Sequence, residues 1–359
     1  MKDTGNHREE IGPSPNMGIA EMVEITSCNI FFTGCAAIMR LISIVVNWYL
    51  VFEYWKSESY AYSAWTLASI LIPMVITSII YSHIVSTDQT GHGRILYRGT
   101  MSDIVLSYLF RDGYTLNYAL NYTQAKKQDN KEGEIRYYQK YVKEECNVGF
   151  IRLFDSFLET APQKILQLVI VLRFIKTLTY FRAFTFVIYF LSIAWCLVAY
   201  NRSNRLVQLD KYDIGTNGLI VQFFFLLCLT VSRTLCIAYV ASIYPLATLA
   251  MCLCHILVCG SIVFLVDAPK LANSVFMNYL CCITFGVVYL FIFTPVKDAP
   301  TKYKYIYYLS FCLVQNITAC ILFIPLYISI AILGLYVIGI ILMIFYYLMC
   351  HPGITSTLY

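Results

Sequence analysis

Polar side chains follow one face of the stretch RLFDSFLETAPQKIL, which runs from residue 152 to residue 166 and opens a long apolar run. Arg152, Asp155, Glu159 and Gln163 are spaced by three, four and four residues, so on a helix they form one vertical stripe. Such a stripe can offer stepping points to a zwitterionic or anionic lipid headgroup, or carry an ion or a proton. It can equally consist of buried ion pairs that tie helices together without a transport role.

The cost of charge inside a bilayer decides where these side chains can lie. An ionised side chain at the bilayer centre costs about 2.5–3.5 kcal/mol on insertion scales, so it needs a partner or water. Arg152 stands three residues before Asp155 and is one predicted partner. Pro162 lacks a backbone donor and frees the carbonyl of Leu158, which adds a further polar point. We therefore expect both carboxylates of the stripe to face protein or water, with Arg152 or Arg233 within pairing distance.

Further polar residues lie inside other apolar runs and are candidates for the same pathway. Arg40 lies midway along the first run, and Asn47 follows seven residues later on the same face. Arg233 lies in the sixth run, and Gln315 and Asn316 lie in the ninth. Polar groups at several depths can form a ladder of binding points for a lipid headgroup, and a proton or ion pathway can use the same features.

The composition indicates a helical membrane protein with many spans. Of 359 residues, 59% are hydrophobic and only 13% are charged, about half the charged share of a soluble protein. Most of the 14 cysteines lie in apolar runs, which favours packing over a metal site. The sequence contains no recognisable ATP-binding or catalytic motif. We therefore expect no enzyme activity, no cofactor and no metal, and we expect phospholipids rather than nucleic acid as partners.

Ten apolar segments organise the chain. Their approximate bounds are 28–53, 63–86, 100–123, 148–174, 180–201, 217–240, 243–266, 274–294, 305–326 and 328–350. Lysine and arginine concentrate in 87–149, in the link after residue 201 and in 295–304, which predicts that these regions are cytosolic. The sidedness is consistent only if the third and eighth segments enter the membrane and return. The third is also amphipathic, with Asp103, Ser107 and Arg111 on one face.

The predicted fold is all-α, with eight transmembrane helices, two partly inserted helices and both termini in the cytosol. Residues 1–22 are expected to form a disordered tail, and residues 351–359 a short one. Residues 23–350 are expected to form a single membrane domain. In it, 23–206 and 214–350 are possible five-helix repeats, a common device in transporters.

Four stretches of the chain carry recognisable motifs. They are LFDSFLETAPQKILQLVIVL (153–172), SIAWCLVAYNRSNRL (192–206), SRTLCIAYVASIYP (232–245) and YYLMCHP (346–352). The core of the first is Glu159-Thr160-Ala161-Pro162-Gln163. Together they closely resemble the signature of the XK-related family of membrane proteins, whose core reads ETAPQ. The resemblance spans nearly the whole chain.

The resemblance implies a fold and a function. Several XK-related proteins are phospholipid scramblases, which expose phosphatidylserine in dying cells without ATP. The family has eight spans, two half-membrane helices and cytosolic termini. By position, its acidic ladder falls on Asp155 and Glu159, and its basic members fall on Arg202 and Arg233. Some relatives bind a single-span immunoglobulin-type protein or a lipid-transfer protein.

The chain departs from the family pattern on the acidic side. Ser43 and Asn47 stand where the first span of the family often carries two aspartates, and Ala199 stands where an acid precedes the Tyr-x-Arg. Three functions are therefore carried forward. The first is a passive phospholipid scramblase of the plasma membrane. The others are a non-scrambling scaffold that anchors a partner, and a secondary transporter for a small polar solute.

Overall fold

Every regular element that the structure describes is a helix. The computed structural model describes residues 25, 27–87, 101–173, 180–206, 213–267, 269, 274–296 and 302–351. In these ranges the α-helices are α1 (Ser27–Lys56), α2 (Tyr60–Thr87), α3 (Met101–Lys127), α4 (Lys131–Asp155), α5 (Ala161–Arg173), α6 (Tyr180–Leu206), α7 (Thr216–Ile243), α8 (Pro245–Ile262), α9 (Val275–Tyr289), α10 (Lys302–Leu322) and α11 (Leu326–Phe345). Three π-helical turns continue them, at Ser156–Thr160, Val263–Asp267 and Tyr346–Cys350. The all-α fold class is thus confirmed.

Six of the described helical stretches are long and apolar enough to cross a membrane. They are Tyr60–Tyr81, Ala183–Leu206, Thr216–Ile243, Pro245–Asp267, Lys302–Leu322 and Leu326–Cys350. The helix α4 carries many charged residues, among them Arg152 and Asp155, which lower its mean hydropathy. The chain is therefore a multi-pass helical membrane protein, whereas the count of eight spans stays a prediction.

The fourth apolar segment begins earlier in the structure than apolarity alone predicts. Residues 131–147, which the sequence pattern places in a cytosolic link, form the first two thirds of α4. The side chain of Asn130 accepts a hydrogen bond from the Gly133 N–H at 2.9 Å and caps this helix. Glu132 and Glu134 in the first turn complement the helix dipole. This helix begins with a capping residue and charged residues. Because neither is apolar, a search for apolar runs does not find its start.

The helices α3 and α4 are joined by a short turn and pack against each other. Tyr122 and Tyr138 meet between them, with ring centroids 6.2 Å apart. Of the polar face predicted on α3, Arg111 is buried in the structure. The side chains of Asp103 and Ser107 lie outside the described residues. The pairing of the two helices brings Arg111 against the stripe on α4.

The helix α9 enters the bundle, and the chain then returns to the same end. It has 15 residues, a length of about 22 Å, which is too short to cross a hydrocarbon core about 30 Å thick. Lys304 at the start of α10 pairs with Asp267 at the end of the π turn after α8. The chain segments before and after α9 therefore lie together. This path is the one that the predicted partial insertion of the eighth segment requires.

Two small residues let α9 approach α8 closely. A Cβ atom added at Gly286 would collide with the carbonyl oxygen of Ile256, and one added at Gly260 would lie 2.8 Å from the Cα atom of Ile283. Such close backbone approach is typical of helices that pack inside membranes.

Some predictions fall outside the described residues. Residues 1–22 and 352–359 of the predicted tails are among them, as are 297–301 in the link before α10. The cytosolic location of both termini and the two-repeat organisation stay predictions.

Candidate functional site

The stripe lies where the long helix formed by α4 and α5 changes its winding. Asp155 ends α4, Glu159 lies in the π turn, and Gln163 lies in the first turn of α5. In the π turn the Ala161 N–H donates to the carbonyl of Ser156, five residues earlier. Pro162, which has no N–H to donate, follows at once. Asp155, Glu159 and Gln163 are all buried. Turns of the π type are frequent at functional sites.

The two acids of the stripe find their partners on α1 and α3. Arg40 places one guanidinium nitrogen 3.3 Å from Asp155 Oδ2 and the other 3.3 Å from Glu159 Oε2. Asn47 donates from Nδ2 to Glu159 Oε1 at 2.9 Å. Arg111 also pairs with Asp155. The structure therefore brings the predicted residues Arg40 and Asn47 together with the stripe.

Arg152 does not pair with Asp155, so that predicted contact is wrong. Its Nε donates to Asp112 Oδ1 at 2.7 Å, and its Nη1 donates to Glu145 Oε1 at 3.0 Å. Arg111 from α3 takes the place beside Asp155 that the spacing along α4 suggested for Arg152. The contacts thus run continuously between three helices. We call this set the polar ladder; it comprises Glu145, Arg152, Asp112, Arg111, Asp155, Arg40, Glu159 and Asn47.

The polar ladder is long and carries both signs of charge. It contains three arginines and four carboxylates. The buried Gln163 lies one turn beyond Glu159 and is not part of the ladder. Between Glu145 and Gln163 the long helix rises about 27 Å, which is close to the thickness of a hydrocarbon core. Sequence reasoning missed Asp112 and Glu145. It noted Arg111 only as part of an amphipathic face, because partners on other helices leave no spacing signal.

A cavity of about 220 Å³ opens beside the Glu145 end of the polar ladder. We call it the side pocket. It lies between the beginning of α1, the helices α4 and α6, and the first turn of α7. Its lining residues are Ile25, Thr33, Tyr138, Tyr141, Val142, Glu145, Arg152, Trp195, Val198, Ala199, Arg202, Ser203, Leu206 and Leu219.

Arg202, a predicted pathway residue, lies in this pocket and not in the polar ladder. Its Nη2 lies 2.8 Å from Asp213 Oδ2, and its Nε lies 3.1 Å from Asp213 Oδ1. This two-point contact with a carboxylate fixes the plane of the guanidinium. Trp195 lies about two turns before Arg202 on the same helix and is 54% exposed. The pocket therefore combines a fixed cation with an aromatic side chain that is open to the surroundings.

Arg233 lies in a second polar cluster, so its predicted pairing with the stripe is also wrong. It is buried and donates to Asn316 Oδ1 at 2.6 Å, to Gln315 Oε1 at 2.9 Å and to the carbonyl of Leu290 at 3.3 Å. All of these acceptors, within the described residues, are neutral. Leu290 follows the last residue of α9, and the C-terminal end of a helix carries partial negative charge.

Two further side chains bind the same helix end. His255 Nε2 lies 3.0 Å from the carbonyl of Tyr289, and the Tyr308 hydroxyl donates to that carbonyl at 2.7 Å. Backbone carbonyls inside a membrane need such partners because no water is there to bind them. The second cluster therefore holds the inner end of α9.

These observations define a multi-pass helical membrane protein with charges buried at several depths along one helix. The chain belongs to the XK-related family. The family model described as XK-related protein matches residues 31–352. The predicted family is thereby confirmed.

Individual relatives support the same placement. Cell death abnormality protein 8 of Caenorhabditis briggsae is 24% identical over 342 residues, covering 84% of this chain and 74% of that protein. Its counterpart of the same name in Caenorhabditis elegans is 25% identical over 244 residues, covering 63% of this chain and 53% of that protein. XK-related protein 8 of Pan troglodytes is 31% identical over 99 residues, covering 28% of this chain and 25% of that protein.

Proposed function

We propose that the chain is a phospholipid scramblase that moves lipids such as phosphatidylserine across the plasma membrane without ATP. The observation that carries the proposal is the polar ladder, whose charges follow the long helix from Glu145 to Glu159, a rise of about 21 Å. Family membership supports it, and the similarity to proteins named Cell death abnormality protein 8 agrees with a role in dying cells. Both termini are proposed to lie in the cytosol.

The physical role of the ladder follows from the charge on a lipid headgroup. Moving an unpaired charge into hydrocarbon carries a penalty of several kcal/mol. The ladder presents charges of both signs at successive depths, from Glu145 and Arg152 to Asp155 and Glu159. A headgroup that exchanges one set of partners for the next keeps its own charges paired, while its tails stay in the lipid. No energy source is needed, because movement in both directions is passive.

The exposure of the ladder decides which side chains meet a headgroup first. The side chains of Arg40 and Arg152 are 13% and 19% exposed, whereas those of Asp155 and Glu159 are 5% and 1% exposed. Arg111 is buried and Glu145 is about as exposed as Arg152, so the outer cations of the ladder are Arg40 and Arg152. A lipid phosphate that approaches them competes with the carboxylates behind, and a guanidinium can bind phosphate and carboxylate in the same two-point geometry.

The proposal is tested with the purified chain in vesicles that contain a trace of fluorescent phosphatidylserine. A membrane-impermeant reductant is added without ATP. We expect it to destroy the label beyond the outer-leaflet fraction, because lipids from the inner leaflet reach the outside. If vesicles with confirmed protein incorporation lose only the outer-leaflet fraction, the proposal fails.

A second candidate is a scaffold that does not move lipids. It is favoured by the pairing of the ladder, since Arg40, Arg111 and Arg152 each already contact a carboxylate. In that case the ladder fixes α1, α3 and α4 relative to one another. A single-span or lipid-transfer protein partner would then act on lipids. Label loss that requires co-reconstitution of such a partner would favour the scaffold.

A further inference from the structure

Two buried polar atoms at the wall of the side pocket have no hydrogen-bond partner among the described residues. One is Oε2 of Glu145 and the other is Nη2 of Arg152. The remaining oxygen of Glu145 accepts from Nη1 of Arg152 at 3.0 Å. Nε of Arg152 donates to Asp112, so one oxygen of Glu145 and one nitrogen of Arg152 are left over. Both residues line the same cavity, and their unpaired acceptor and donor are buried at its wall, which points to a missing polar partner there.

The surroundings of this pair have a second cation and several aromatic rings. Arg202 lies in the lining, with its orientation fixed by Asp213. Tyr138, Tyr141 and Trp195 also line the pocket. Burial, and after it the charge of Glu145, raises the pKa of the Tyr141 phenol to about 12, so this ring is neutral at physiological pH. Neutral aromatic faces attract an ammonium group.

The size and walls of the pocket limit what it can hold. Pockets for drug-sized ligands usually have about 300–1,000 Å³, so 220 Å³ suits a headgroup but not a whole lipid. Apolar side chains complete the wall, including Val142, Val198 and Leu206. The exposed Trp195 gives the pocket an apolar edge along which acyl tails can lie outside.

We infer that the side pocket binds a phospholipid headgroup that carries both a phosphate and an ammonium group. Arg152 and Arg202 bind the phosphate, and Glu145 with the neighbouring aromatic rings binds the ammonium. A headgroup with phosphate alone would bring its negative charge against Glu145 and leave the acceptor unpaired. This inference rests on the proposed function because a lipid path brings such a headgroup to the pocket. Binding of the headgroup can nevertheless be measured without scrambling.

The direct test uses Trp195 as a reporter. The chain has four tryptophans, and replacing Trp48, Trp55 and Trp65 by phenylalanine leaves Trp195 as the only one. In a non-ionic detergent, its fluorescence is titrated with dihexanoyl phosphatidylcholine, phosphatidylethanolamine and phosphatidylglycerol. We expect the two zwitterionic lipids to bind about tenfold more tightly than phosphatidylglycerol, the difference expected for one charge-assisted contact. Equal or tighter binding of phosphatidylglycerol overturns the inference.

A second titration separates lipid from a free solute. Glycerophosphocholine has the same headgroup without tails. We expect it to bind far more weakly, because it lacks the tails that lie against Trp195. If it binds as tightly as the lipid, the occupant is a soluble solute and the inference is wrong.

A variant and its control locate the selectivity at one side chain. In the Trp195 reporter, Glu145→Gln should weaken phosphatidylcholine about tenfold and strengthen phosphatidylglycerol, because it removes the negative charge that binds ammonium and repels phosphate. Glu132→Gln, on the same helix but exposed and outside the pocket, should leave both affinities unchanged. Retained selectivity in Glu145→Gln contradicts the assignment. Selective binding without lipid movement in vesicles would refute the proposed function alone, and lipid movement without selective binding would refute this inference alone.

Discussion

Replacing Glu159 by glutamine tests the ladder at its most deeply buried acid. The Glu159 carboxylate accepts from Asn47 at 2.9 Å and pairs with Arg40 at 3.3 Å. Glutamine keeps the shape and a carbonyl oxygen, so the contact with Asn47 survives. Arg40 keeps Asp155 as a second carboxylate at 3.3 Å. The substitution therefore removes one charge-assisted contact, which costs about 1.5–3 kcal/mol. It does not leave a buried charge without a partner, which would cost about 3–5 kcal/mol.

The matched control is Glu144→Gln. Glu144 is a buried carboxylate on the same long helix, and it accepts from the Tyr81 hydroxyl at 2.7 Å, but it lies outside the polar ladder. We expect both variants to unfold at a lower temperature in detergent. Only Glu159→Gln should slow lipid movement in vesicles, by about tenfold for each 1.4 kcal/mol of lost stabilisation along the path.

Two results would refute this reasoning. Wild-type rates in both Glu159→Gln and Asp155→Asn would remove the ladder from the lipid path. Equal slowing in Glu144→Gln and Glu159→Gln would show that the assay reports stability and not the path.

Three further predictions concern the helices around the site. Arg233→Lys should lower the free energy of unfolding by about 2 kcal/mol, because an ammonium cannot serve all the acceptors that the guanidinium binds; an unchanged thermal midpoint would contradict this. In a background without native cysteines, Lys302→Cys should react with an impermeant thiol reagent only after the cells are opened, and labelling of intact cells would mean that α9 crosses fully. Gly286→Ala should destabilise by about 1–3 kcal/mol through overpacking against α8, whereas Gly334→Ala, with open space around the added Cβ, should not; equal midpoints for the two variants would disprove the close packing.

Helical periodicity predicted which side chains share one face of a helix, but it did not predict contacts between helices. The spacing of Asp155, Glu159 and Gln163 predicts their common face, and all three are buried. Their partners depend on which helices pack beside α4, and single-helix spacing contains no such information. For this reason the sequence pairs Asp155 with Arg152, while the structure pairs it with Arg40 and Arg111. The early start of α4 was missed because a charged, capped half-helix carries no apolar run.

Arg233 shows that a buried charge can be balanced without a carboxylate. The sequence suggests an acid as its partner because opposite charges attract, yet its acceptors are Gln315, Asn316 and the carbonyl of Leu290 at the end of α9. A helix that stops inside a membrane exposes carbonyls with partial negative charge, and these need donors. Because α9 is short, its carbonyl end lies beside Arg233, and the guanidinium and the carbonyl satisfy each other's hydrogen bonds. Extending α9 by one turn would displace that carbonyl end by about 5 Å and would leave the guanidinium without the helix end that balances it.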